Sequence, residues 1–168
     1  MNRARLVLIA LSAAAIAQLA WYVPRMPPLM ATHFDGAGSP NGWMTRGAAA
    51  AFHLAVLGVA ALAFIGLPIL LGRMAPTRIN IPNRQYWLAP ERQAATVAAL
   101  QRWMAALGCG VVLLLMAVSG LSFEANLNPP ARLPTAPFLA CLGAFLIYVV
   151  GAMIALYRRF PKPPPASL

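Results

Sequence analysis

The chain of 168 residues holds two histidines, His33 and His53, and three acids, Asp35, Glu91 and Glu124. Neutral imidazoles with carboxylates form a donor set for a divalent transition metal, and a histidine near an acid is also equipped for proton transfer. His33, Asp35, His53 and Glu124 are therefore a candidate metal or acid–base cluster. Their spacing matches no ready-made ligand motif: the sequence has no His-Glu-x-x-His and no Cys-x-x-Cys. A competing reading needs no chemistry. Asp35-Gly36 and Asn41-Gly42 are turn-forming pairs, so His33 and Asp35 can instead hydrogen-bond backbone groups as a loop folds over helix ends. His53, early in an apolar run, fits a neutral, hydrogen-bonded side chain near the headgroups, where the cost of an ionisable group falls steeply.

A second constellation is Asn80, Pro82, Asn83, Tyr86, Trp87, Pro90, Glu91 and Arg92. Trp, Tyr and Arg supply most binding hot spots, so this stretch can dock a partner. The same residues also make an interfacial anchor, with rings at headgroup depth and arginines on anionic lipid. Glu91 with Arg92 and Arg84 is expected to form a local ion-pair network. Ser119 and Ser122 have no paired base, and there is no nucleophile elbow, phosphate-binding glycine loop or dinucleotide fingerprint. The residues thus name no catalytic group and no cofactor.

The elements that must position these groups are apolar runs. The composition is 61% hydrophobic and only 10% charged, against about 25% charged residues in an ordinary soluble domain. Four runs approach or exceed the ~20 residues needed to cross the hydrocarbon core: about 6–23, 47–72, 103–122 and 136–157. The first could pass for a secretory signal, because Ala15-Ile16-Ala17 fits a cleavage pattern. It continues, however, to the interfacial pair Trp21-Tyr22, which favours a retained anchor. Between the runs lie a Pro/Gly-rich loop at 24–46, expected to be irregular, and a hydrophilic connection at 73–102. A short loop at 123–135 and a basic, Pro-rich tail at 158–168 follow; the tail is expected to be extended and mobile. Pro90 followed by Glu91 is a helix start, and the helix lies at the interface or runs into the third run. The expected fold is an all-α, four-transmembrane-helix bundle with an irregular outer loop and an interfacial helix on the cytoplasmic side. Glycines 58, 66, 108, 110, 143 and 151 would allow close helix approach, or reflect composition alone.

The net charge of +10 does not indicate nucleic acid, because the basic residues flank apolar runs and form no stripe beside stacking aromatics. Ten of the 13 flank the N-terminus, the 73–102 connection and the tail; Arg25, Arg46 and Arg132 lie on the other side. The positive-inside bias therefore places both termini in the cytoplasm and the two Pro-rich loops outside. Cys109 and Cys141 lie at different depths in apolar runs and read as small buried residues rather than a disulfide.

The outer loop reads Tyr22-Val23-Pro24, then Thr32-His33-Phe34-Asp35-Gly36, then Gly38-Ser39-Pro40-Asn41-Gly42-Trp43. This pattern resembles domain of unknown function 1648, found in bacterial multi-pass membrane proteins. It is also similar to the N-terminal part of immunity proteins that protect sporulating bacilli from their own cannibalism toxin. The resemblance covers roughly the first third of the chain. The connection Asn80 to Arg92 lacks the Arg-Thr-Pro-Trp-Thr pattern of those proteins and is closer to a shorter branch with Asn-x-Pro-Asn and Tyr-Trp-Leu. The resemblance implies the topology and a non-enzymatic role at the cytoplasmic membrane. In that role the outer loop, His33 to Trp43 with Glu124 nearby, meets a peptide toxin or another membrane protein. The other readings are a metal-dependent envelope protein using the His/Asp/Glu set, and an accessory or signalling subunit acting through Asn80 to Arg92.

Overall fold

The computed structural model describes residues 2–162. Met1 and residues 163–168 lie outside them, and with the latter most of the Pro-rich tail. The first helix, α1 (Arg3–Tyr22), is capped by Asn2, whose Oδ1 accepts from the Arg5 amide at 2.8 Å. A single helical turn at Val23–Arg25 then leads to two strands, β1 (Leu29–Phe34) and β2 (Pro40–Thr45). The Thr45 hydroxyl accepts from the Ala48 amide and starts α2 (Arg46–Ala61). A wide π turn (Leu62–Gly66) and the short α3 (Leu67–Leu71) complete that rod. After α4 (Arg84–Trp87) come the long α5 (Pro90–Leu127) and α6 (Thr135–Arg159).

Four helical rods, Arg3–Arg25, Arg46–Leu71, Pro90–Leu127 and Thr135–Arg159, are long and apolar enough to cross a membrane. Their outer faces are apolar as well: Ile16, Val59, Leu62, Ile147 and Val150 are all more than half exposed. Water does not tolerate such a surface, and hydrocarbon does. The chain is a membrane protein.

The rod α5 is the axis of the bundle, with α1, the α2–α3 rod and α6 packed on it. Two of its glycines make that approach possible. A Cβ on Gly108 would lie 2.5 Å from the Cβ of Phe64, and one on Gly110 would collide with the ring of Tyr148. Gly58, Gly143 and Gly151 meet nothing within 4 Å, so close packing uses only part of the glycine set. Pro68 has no amide hydrogen, and its ring crowds the carbonyl four residues earlier. The π turn just before it absorbs that misfit, and Gln101 Nε2 of α5 donates to the Pro68 carbonyl at 2.7 Å.

Two sequence expectations are corrected, and a third is decided between its alternatives. The 24–46 loop is not irregular, and the fold is not purely α, because Leu29–Thr45 is an antiparallel hairpin. Its prolines, Pro27, Pro28 and Pro40, fall before or at the ends of strands, where a missing donor costs little. The helix that starts at Pro90 takes one of its two expected courses and runs straight into the third span: α5 is unbroken over 38 residues, about 57 Å, because nothing after Pro90 interrupts it. Finally, Arg84 and Arg92 do not pair with Glu91. Their guanidinium groups donate to the carbonyls of Thr77 at 3.0 Å and Tyr86 at 3.4 Å, and Glu91 stays exposed.

Candidate functional site

A buried side chain of the bundle holds the hairpin by its backbone. Asn126, in the last turn of α5, accepts from the Ala31 amide through Oδ1 and donates from Nδ2 to the Ala31 carbonyl, both at 2.8 Å. The carboxamide thus imitates a third strand on the free edge of β1. Ala31 is fully buried and Asn126 nearly so. Sequence reasoning placed Asn126 in a loop because the apolar run ends near Ser122. The available signal was the pairing of Phe123 and Asn126, which lie three residues apart and share a helix face.

The tip of the hairpin folds on itself. The Asp35 carboxylate accepts from the amides of Ala37 and Ser39 at 2.9 and 2.8 Å, and Gly38 adopts φ +79°. A Cβ on Gly38 would run into the Leu133 carbonyl. The Gly38 carbonyl accepts from the Leu133 amide at 2.9 Å, which joins the tip to the α5–α6 loop. Gly42 sits opposite His33, and a Cβ there would be 2.8 Å from the His33 Cβ. Gly36 has open space around it. Trp43 pairs with Ala31 across the hairpin and is half exposed.

Beneath the hairpin lies a cavity of about 400 Å³, walled by α1, α2 and α5 and roofed by both strands. The register slips between Ala31 and Phe34. In a regular strand Thr32 and His33 would face opposite sides; at this bulge both line the cavity. His53 lines it from α2. The remaining wall is mostly apolar, with Met30 and Met44 from the roof and Phe52 and Phe123 from the helices.

The two histidines each use Nδ1 in a local hydrogen bond. His33 Nδ1 donates to Asn41 Oδ1, and His53 Nδ1 donates to the Ala49 carbonyl at 2.7 Å. In the neutral form of either ring with Nδ1 as donor, Nε2 is an acceptor. The His53 ring is packed against Phe123 at 5.1 Å and Phe52 at 6.1 Å between centroids. The structure thus brings His33 and His53 to one cavity and leaves the acids out of it. Asp35 serves the turn, and the Glu124 carboxylate accepts from the Tyr22 hydroxyl. Among the described residues no three His, Cys, Asp or Glu side chains gather closely enough to hold a metal ion. The set His33, Asp35, His53 and Glu124 therefore does not converge, because both acids are taken up by local hydrogen bonds. What the site offers is an apolar hollow with two imidazole acceptors.

At the opposite end, the second motif turns inward. Asn83 takes a left-handed conformation (φ 54°) and its Nδ2 donates to the Pro161 carbonyl at 3.3 Å. Trp87 Nε1 donates to the same carbonyl at 3.2 Å, and its ring meets Phe160 edge-on. Arg92 stacks on Tyr86, 4.0 Å from the ring centroid. Ile79, Leu88, Leu100 and Phe160 form the small core that these residues close. Asn80 and Pro82 stay exposed. Cys109 and Cys141 are free thiols on one groove between α5 and α6.

The hairpin is the part of the chain that comparison with known proteins recognises. Residues 8–59 match the family model described as Domain of unknown function (DUF1648). No curated protein matches the chain, and no solved structure does. The DUF1648 match runs from Leu8 in α1 through the hairpin to Val59 in α2. It therefore includes the roof and two walls of the cavity, together with both histidines. The third wall, α5 with its Asn126 clamp, lies beyond it.

Proposed function

We propose that this is a non-enzymatic protein of the bacterial cytoplasmic membrane that protects the envelope by capturing an apolar segment of a membrane-active peptide beneath its hairpin. The observation that carries this reading is the cavity: about 400 Å³, apolar, roofed by a clamped hairpin and with its roof and two of its walls inside the DUF1648 match. Such a hollow removes apolar surface from its surroundings, while His33 and His53 accept hydrogen bonds from exposed peptide N–H groups. The resemblance of the loop to toxin-immunity proteins points the same way. The distribution of basic residues, ten against three, supports a topology with both termini and the 73–102 connection in the cytoplasm and the hairpin outside.

The test is protection. Bacteria producing the protein are challenged with an apolar pore-forming peptide, and potassium leakage is followed. Producing cells should leak more slowly than cells without the protein. His33→Ala and the cavity-filling Val56→Phe should abolish the difference while membrane levels stay unchanged. Leakage that is the same with and without the protein, or protection that survives both substitutions, rules out capture in this cavity.

A further inference from the structure

The end of the bundle opposite the hairpin holds a second, smaller cavity of about 220 Å³. Asn2, Arg5, Gln101 and Arg102 supply its polar wall, and Phe64 and Pro68 its apolar one. Its volume is several times the ~30 Å³ that a water occupies in the liquid, so it takes more than a single solvent molecule. The first turn of α1, the π turn, α3 and α5 all meet here. The π turn, with the proline after it, shapes one wall, and such turns recur at functional sites.

The electrostatics of this cavity are incomplete. Arg5 Nε is buried and has no hydrogen-bond partner among the described residues. Buried donors are ordinarily paired, because an unmade bond forfeits the group's hydration without return. No acid lines the cavity, so two guanidinium-bearing residues share one space without a carboxylate. The neighbouring amides are already committed. Gln101 Nε2 donates to Pro68, and Asn2 Oδ1 accepts from the Arg5 backbone amide. Two guanidinium-bearing residues lining one space without an acid suit an anion with several acceptor oxygens, and a guanidinium fork matches phosphate in both charge and geometry.

Depth narrows the source. Arg5 immediately precedes Leu6, where the apolar run of α1 begins, and Arg102 immediately precedes Trp103, where that of α5 begins. Both cations therefore stand at the border between polar and apolar surface, where a bilayer places its phosphates. Phe64 and Pro68 give the cavity an apolar side next to these cations, which suits the glycerol of a lipid beside its phosphate. We infer that this cavity binds a singly charged phosphate ester, the headgroup phosphate of an anionic glycerophospholipid.

The experiment is native mass spectrometry of the full chain in neutral detergent, titrated with phosphatidylglycerol and, in parallel, phosphatidylcholine. Phosphatidylglycerol should bind at least about tenfold more tightly, and R5Q/R102Q should lose at least about tenfold in its affinity. Ala98→Phe adds bulk at the cavity wall without changing charge and should lose as much. Arg73→Gln removes an exposed charge outside the cavity and should stay within about twofold. Inorganic phosphate at millimolar concentration tests the source. If it displaces the lipid and fails to bind R5Q/R102Q, the same arginines serve a soluble phosphate. If it does not displace the lipid, the lipid is the occupant. Equal binding of the two lipids, or unchanged phosphatidylglycerol binding by Ala98→Phe, overturns the site; the latter holds even where R5Q/R102Q does not fold.

Discussion

The hairpin segment 24–46 and the connection 73–102 each carry a conspicuous motif, yet they spend their side chains differently. In the hairpin, the backbone does most of the joining. Strand pairing, the Gly38–Leu133 link and the Asn126 clamp hold it in place, and His33 and Trp43 remain exposed. In the connection, the motif side chains are themselves the joints. Asn83 and Trp87 bind the Pro161 carbonyl, and Arg92 closes over Tyr86. A motif whose side chains are consumed internally builds structure, whereas one left free by a backbone scaffold is available to a ligand. This difference favours the hairpin end as the working surface.

The comparison breaks most readily at the positions where the hairpin has no slack. Asn126→Leu keeps the volume but strands the buried amide and carbonyl of Ala31. It should cost roughly 2–6 kcal/mol, at about 1–3 for each group left unpaired, read as a lower midpoint of thermal unfolding in detergent. Gly38→Ala should cost about 3 kcal/mol, since it combines a left-handed φ with a collision at Leu133. Gly36→Ala, two residues away in open space, should stay within about 0.5 kcal/mol, and a comparable loss at both positions would refute the steric argument. At the other end, Trp87→Phe removes one ring N–H bond while keeping most of the packing on Phe160. A loss of about 1 kcal/mol is expected by the same unfolding measurement. His33→Ala should have the smallest effect on stability, within about 0.5 kcal/mol because the ring is exposed, yet it should eliminate protection against the pore-forming peptide. A large stability loss at His33 with protection intact would reverse the assignment of the two ends.

The four helical spans were legible because a bilayer admits few backbones. Long apolar runs must close their own hydrogen bonds, so composition alone decides helix. The DUF1648 pattern was legible at Thr32 to Trp43, and glycines 38 and 42, where a Cβ would collide, lie within it. The hairpin was not. Prolines and glycines signal turns whether or not the residues between them pair, and pairing is a contact between segments rather than a property of either one. The proposed ion pairs of Glu91 failed for a similar reason, since nearness in sequence did not outweigh carbonyls that the fold brought closer.

The sequence by itself determined that this is a four-span, predominantly helical membrane protein with a DUF1648-type loop, because hydrophobicity and turn chemistry act locally. Only the tertiary structure decided which polar groups share a space. It withdrew Asp35 and Glu124 from the histidines, gathered His33 and His53 on one apolar cavity, and turned Asn126 into the clamp of a strand 95 residues away. Those outcomes depend on how helices pack against α5, where a single glycine, bulge or proline moves a side chain by ångströms. Distances of that size separate a metal site from a hollow.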